Sequence, residues 1–199
     1  MKAIAGYPEP GHGQTGFSLV ELIVAIVILG VITAGAMAAL DGGAQSKTAA
    51  LLSKMNEVAN AVAIYQKATG CVPSSMAVLF DKSQATAGHN FCGVDTQSSY
   101  GNQGYMAPMP VNGNGVSLGQ LGISGGVLLL RQNLPGTTPN NYAVEVMGIG
   151  DLLYPLMQAC NGIDYSGAAM VSFPQDFSGG ANCVYVTADN AVGMLISRF

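Results

Sequence analysis

The sequence predicts an α+β fold, in which one long N-terminal α-helix packs on an antiparallel β-sheet head domain. Three observations lead to this prediction. Residues 17–40 form an apolar run with a single charge, at Glu21. Residues 41–70 keep a helical periodicity but are amphipathic. Beyond residue 126, short apolar segments alternate with turns rich in Gly, Asn and Pro, which is typical of strands.

The first 40 residues divide into a polar leader and an apolar helix. Residues 1–16 are rich in Gly and Pro, and we expect no regular structure there. The next 24 residues, at a rise of about 1.5 Å each, would span the roughly 30 Å hydrocarbon core of a membrane. We therefore predict a leader over residues 1–16 and an apolar transmembrane helix over residues 17–40.

Residues 41–70 are predicted to continue that helix with one apolar face. Its apolar side chains recur at three- and four-residue steps, at Leu51, Met55, Val58, Val62 and Tyr65. Gly70 suits the C-cap, and Pro73 follows shortly after it as a stop signal. The first half of the helix must lie in a membrane or an assembly, and the second half must pack on a domain.

Residues 71–199 are expected to form that domain. Up to about residue 126, Gly, Ser, Asn and Pro interrupt every apolar run, so we predict mostly loop. Strands are predicted over residues 127–131, 142–147, 168–173, 183–187 and 191–197, and a short helix or turn over residues 151–160.

The four cysteines all lie beyond the apolar run. If that run directs export, an even number of cysteines predicts two disulfides in an oxidising compartment. Three pairings are possible, and we favour the sequential one because it closes two modest loops, Cys71–Cys92 and Cys160–Cys183.

The charge pattern argues against a nucleic-acid partner. The net charge is −4, and the seven Lys and Arg residues are scattered singly along the chain. A duplex-binding surface needs a basic stripe, which this sequence lacks.

Glu21 is a costly residue in its apolar surroundings. A carboxylate at the bilayer centre costs roughly 2.5–3.5 kcal/mol on insertion scales. Cleavage after Gly16 would supply a partner charge, the new α-amino group of Phe17, in the same chain or in a neighbouring one. An uncleaved anchor with Glu21 at headgroup level is the alternative.

The segment Gly16-Phe17-Ser18-Leu19-Val20-Glu21-Leu22 resembles the processing site of type IV prepilins and type II secretion pseudopilins. The resemblance implies that a prepilin peptidase cuts after Gly16 and methylates Phe17, and that Glu21 acts in assembly. Two further segments are similar to this family. One is the Tyr-x4-Gly-x2-Pro pattern at residues 65–73, and the other, residues 142–162, resembles the C-terminal domains of type IVb-like pilins.

The resemblance implies a pilin-like fold and a non-enzymatic structural subunit without a cofactor. Its precursor would sit in the inner membrane, and an assembly machinery would build it into a helical homo-oligomeric filament, an extracellular pilus for adhesion or motility. One alternative is a pseudopilin of a type II secretion system. Another is an exported enzyme or binding protein whose ordinary signal peptide ends at Ala34-Gly35-Ala36.

Three further patterns were weighed as chemical sites. Residues 122–126 match the G-x-S-x-G nucleophile motif, but both histidines precede Ser124 and the flanking strand and helix are lacking, so a Gly-rich loop is favoured. Cys71, His89 and Cys92 offer zinc-type ligands without an evident fourth. The spacing of four aspartates does not follow the EF-hand pattern, and we interpret them as loop carboxylates, Asp151, Asp164, Asp176 and Asp189.

Overall fold

The structure, a computed structural model, describes residues 19–100, 104–135, 137, 141–165, 167 and 169–198. Up to residue 42, only the backbone of the first helix is described. The helices and strands are, in chain order, α1 Leu19–Thr69, β1 Val111–Asn112, β2 Gly115–Ser117, β3 Val127–Gln132, β4 Asn141–Met147, α2 Leu153–Asn161, β5 Cys183–Val186 and β6 Ala191–Arg198. The chain divides into two compact units, Met1–Asp41 and Gly42–Phe199, and we call the second the head unit.

Within the head unit, α1 buries the face that the sequence predicts. Exposure is 0% for each of the five predicted residues, Leu51, Met55, Val58, Val62 and Tyr65. Gly70 adopts a φ of 74°, and its N–H donates to the carbonyl oxygen of Gln66 at 2.8 Å. A positive φ strains any residue with a Cβ, which is why glycine ends helices in this way. The predicted apolar face and C-cap are both confirmed.

Among the described residues, the sheet has six strands, all antiparallel, in the order β1-β2-β3-β4-β6-β5. Strands β3 and β4 pair over six residues, from Val127 opposite Met147 to Gln132 opposite Tyr142. The helix of the head unit and this antiparallel sheet confirm the predicted α+β class.

Strand β4 is buried on both faces, from Asn141 to Val146. Because side chains alternate along a strand, Tyr142, Val144 and Val146 join the large core shared with α1. Ala143 faces a smaller apolar cluster on the other side of the sheet, with Leu134 and Phe177. Around Ala143, the second face of the sheet is therefore covered by loop residues rather than left open to water.

The strand predicted over residues 168–173 is wrong, and a short hairpin was not predicted. The segment around residue 171 forms a 3₁₀ turn, Met170–Ser172, instead of a strand. Its β-favouring residues find no free sheet edge, because the outer edge of the neighbouring strand β5 is already occupied by loop groups.

In the region predicted as loop, the sequence Asn112-Gly113-Asn114-Gly115 closes the β1–β2 hairpin. Gly113 has a φ of 61° at the first central position, as a type II′ turn requires.

Candidate functional site

The residues that the sequence predicts for processing and assembly fall at the start of the chain. Gly16 and Phe17 lie outside the described residues. Glu21 lies in α1, in the part of the helix of which only the backbone is described. Within the part of the chain whose side chains are described, no helix has the length and apolarity to cross a membrane.

The four cysteines form two disulfides in the head unit. Cys71 is joined to Cys92 and Cys160 to Cys183, with Cα–Cα distances of 5.7 and 5.9 Å. This is the sequential pairing that the sequence favours. With both sulfurs of Cys71 and Cys92 in a disulfide, no thiolate is left there to bind zinc.

Asn90 secures the loop that the first disulfide closes. It is 6% exposed, and its Nδ2 group donates to the carbonyl oxygens of Thr86 at 3.0 Å and Val94 at 2.7 Å. Its Oδ1 atom accepts from the backbone N–H of Cys92 at 3.0 Å. The amide therefore holds the half-cystine in place from within the loop.

Asn161 has the same role at the second disulfide. Its Nδ2 group donates to the carbonyl oxygen of Cys183 at 2.9 Å, and its Oδ1 atom accepts from the N–H of the same residue at 2.9 Å. Oδ1 also accepts from the N–H of Asn182 at 3.1 Å. One side chain thus imitates a neighbouring strand along the outer edge of β5, and the carbonyl oxygen of Pro174 completes that edge by accepting from the N–H of Tyr185.

A buried charge cluster lies on the face of the sheet away from α1. Glu145, on β4, has an exposure of 0%. The Nε atom of Arg131 lies 3.0 Å from its Oε2 atom, and Nη1 of the same guanidinium lies 2.5 Å from Oδ2 of Asp189. One cation therefore serves two carboxylates. The contact to Glu145 is an ion pair, because no well-aligned hydrogen bond reaches either of its oxygens from the described residues.

This environment changes the acidity of Glu145. Burial raises its pKa from 4.5 to about 7, since the charged form loses its hydration. The positive charge of Arg131 lowers the pKa, and the negative charge of Asp189 raises it. Sequence reasoning missed this cluster. A single acidic residue inside the apolar strand around Glu145 was the signal that could have found it.

The other chemical motifs form no site in the described part of the chain. Ser124 follows a 3₁₀ turn, Gly119–Leu121, and precedes strand β3, so the strand–turn–helix context of a nucleophile is not there. His89 Nδ1 lies 3.0 Å from the carbonyl oxygen of Gln84. Asp189 contacts Arg131, and no group of metal-binding side chains occurs among the described residues.

Within the head unit, a helix packs on an antiparallel sheet, and two disulfides hold this unit together. A family model described as the prokaryotic N-terminal methylation motif matches residues 11–37. The start of the chain therefore carries the prepilin signature that type IV pilins and pseudopilins share, and this match is to a structural motif. Searches of curated proteins and of solved structures each gave no significant match.

Proposed function

We propose that this protein is a structural subunit of a type IV pilus filament that serves adhesion or motility at the cell surface. The observation that carries the proposal is the methylation motif over residues 11–37, which contains Gly16, Phe17 and Glu21. A prepilin peptidase removes the leader after Gly16 and methylates the new N-terminus, Phe17. An assembly machinery then moves the subunit from the inner membrane into the filament.

Assembly rests on the apolar segment of residues 17–40. A helix that leaves lipid for a bundle of identical helices keeps its apolar surface buried. A lone carboxylate at Glu21 would cost a few kcal/mol in such a bundle, and pairing it with the α-amino group of a neighbouring Phe17 removes that cost. This pairing also sets the axial register between subunits.

The head unit supports export to an oxidising compartment. Disulfides persist outside the cytosol and are rare within it. Both pairs lie in the head unit, and each is tied to the chain by an asparagine side chain. In the proposed topology this unit is outside the inner membrane, while residues 1–16 remain cytoplasmic until cleavage.

The mature N-terminus tests the processing step. Mass spectrometry of the purified subunit should give a chain that begins with N-methylated Phe17. A mature chain that begins at Met37 would refute the proposal in favour of an ordinary signal peptide cleaved after Ala36.

Substitution of Glu21 tests the assembly step. Glu21→Ala should leave membrane insertion intact and strongly reduce the yield of sheared filaments. The matched control is Glu57→Ala, because Glu57 lies on the same helix with 42% side-chain exposure. Normal filament yield from Glu21→Ala would contradict the charge pairing.

A pseudopilin of a type II secretion system is the second candidate, because the same N-terminal signature occurs in both classes. Deletion of the gene distinguishes them. Loss of surface filaments with unchanged secretion supports the pilin, and loss of secretion without loss of surface filaments supports the pseudopilin.

A further inference from the structure

The described residues contain three Asn-Gly pairs, Asn112-Gly113, Asn114-Gly115 and Asn161-Gly162. In such a pair the backbone nitrogen of glycine can attack the side-chain amide carbon of asparagine, because glycine presents no Cβ to obstruct the approach. The attack requires a free side chain and a backbone N–H that can move. The structure distinguishes the three pairs by these two requirements.

At Asn161 both reacting groups are held. The side-chain amide bonds to the backbone of Cys183 as donor and acceptor, each at 2.9 Å. The nucleophile, the nitrogen of Gly162, donates to the carbonyl oxygen of Gln158 at 2.8 Å. Attack would break these hydrogen bonds next to a disulfide.

At Asn114 the nucleophile is held within the sheet. Gly115 is buried in β2, opposite Asn112, and a Cβ placed on it would lie 2.5 Å from the carbonyl oxygen of Leu128. The carbonyl oxygen of Asn114 accepts from the N–H of Met76 at 3.0 Å. The peptide between Asn114 and Gly115 is thus fixed on both sides.

Asn112 has neither restraint. Its side chain is exposed and has no hydrogen-bond partner among the described residues, and Gly113 is exposed in the turn. No atom lies within 4 Å of a Cβ placed on Gly113, so this peptide has room to move. β1 is the outermost strand and only two residues long, so little pairing opposes the motion.

We infer that Asn112 is a self-catalysed modification site, at which the side-chain amide is converted to a carboxylate. The nitrogen of Gly113 bonds to Cγ of Asn112, the Cγ–Nδ2 bond breaks, and ammonia leaves with the proton from the Gly113 nitrogen. Water then opens the five-membered imide at either carbonyl, which gives aspartate or isoaspartate. The isoaspartate product adds one carbon to the main chain and changes the register of Asn112 with Gly115.

The experiment follows the three pairs in one sample. The full chain, in detergent, is incubated for several days at mildly alkaline pH in water enriched in heavy oxygen, then digested and analysed by mass spectrometry. Heavy oxygen should enter at Asn112 at least about tenfold faster than at Asn114 or Asn161. This ratio corresponds to a difference of about 1.4 kcal/mol in the activation barrier. Fragmentation assigns the uptake to Asn112 or Asn114.

Two controls make the result decisive. In urea, where the hydrogen bonds are lost, all three pairs should convert at similar rates, because their local sequences are alike. The variant Asn112→Gln, whose longer side chain would form a larger ring, should abolish the fast conversion in the folded protein. The inference is overturned if folded Asn112 is stable while it converts in urea, or if Asn114 or Asn161 converts as fast in the folded chain.

Discussion

The buried carboxylate of Glu145 predicts an unusual dependence of stability on pH. A carboxyl group whose pKa is higher in the folded state than in the unfolded state holds its proton more tightly when folded. Folding is therefore favoured at low pH, and stability falls as the pH rises from the unfolded value of 4.5 to the folded value of about 7. Above that range the contribution of Glu145 is constant.

The size of the effect follows from the same two values. Each pH unit between them corresponds to about 1.4 kcal/mol, so the free energy of unfolding should fall by about 3 kcal/mol across the range. The groups around the carboxylate are consistent with this sign. Arg131 on β3 is the cation beside Glu145, and Asp189, between β5 and β6, competes for that cation. The residue opposite Glu145 on β6 is Gly193, which carries no charge.

Urea unfolding of residues 42–199, which form a compact unit, measures the effect at about pH 5 and about pH 8. Glu145→Gln should remove most of the difference between the two pH values, because glutamine does not titrate. Glu57→Gln is the control, since it removes a half-exposed carboxylate of α1 that pairs with Lys54, and it should keep the difference. Wild-type stability that rises with pH over this range, or an unchanged difference in Glu145→Gln, would refute the reasoning.

Three further predictions concern the core packing of the head unit and the second disulfide with its asparagine partner. Met55→Ala should destabilise the head unit by about 2–5 kcal/mol in urea unfolding, because Met55 is fully buried on the face of α1 that joins the core. Asn56→Ala, on the exposed side of the same helix, should cost far less. Asn161→Ala should cost about 2 kcal/mol in the same assay and should speed hydrogen exchange at Cys183, since it leaves that N–H without its acceptor; unchanged exchange would contradict the role given to Asn161. Replacing Cys160 and Cys183 together by serine should lower the free energy of unfolding by about 3 kcal/mol, given a separation of 23 residues, and an unchanged urea midpoint would contradict this.

The sequence was informative wherever burial follows a regular period. The buried face of α1 repeats every three to four residues, and strands β3 to β6 are short apolar runs bounded by turn residues, so both could be predicted. The hairpin of β1 and β2 was missed although Gly113-Asn114 is a turn signal, because strands of two and three residues carry almost no pattern. The segment around residue 171 shows the opposite error, in which β-favouring residues lie where no strand edge is free.

The hydrogen bonds of Asn161 at the second disulfide and the charge cluster around Glu145 depend on contacts between residues distant in sequence. Asn161 meets Cys183 across 22 residues, and Arg131 meets Asp189 across 58. Nothing in the residues adjacent to Asn161 indicates that its amide will serve as the neighbour of a strand edge. Cysteine pairing was easier to predict, because four residues allow only three arrangements.

The strand order also determines when the head can be completed. β6 lies between β4 and β5, so β5 reaches the rest of the sheet only through β6. When a chain emerges from its N-terminus, β1 to β4 can pair first, but β5 can join the sheet only after residues 191–198 have emerged. The last strand is therefore required to complete the sheet. On the proposed route across the inner membrane, the head would close only after translocation has delivered that strand.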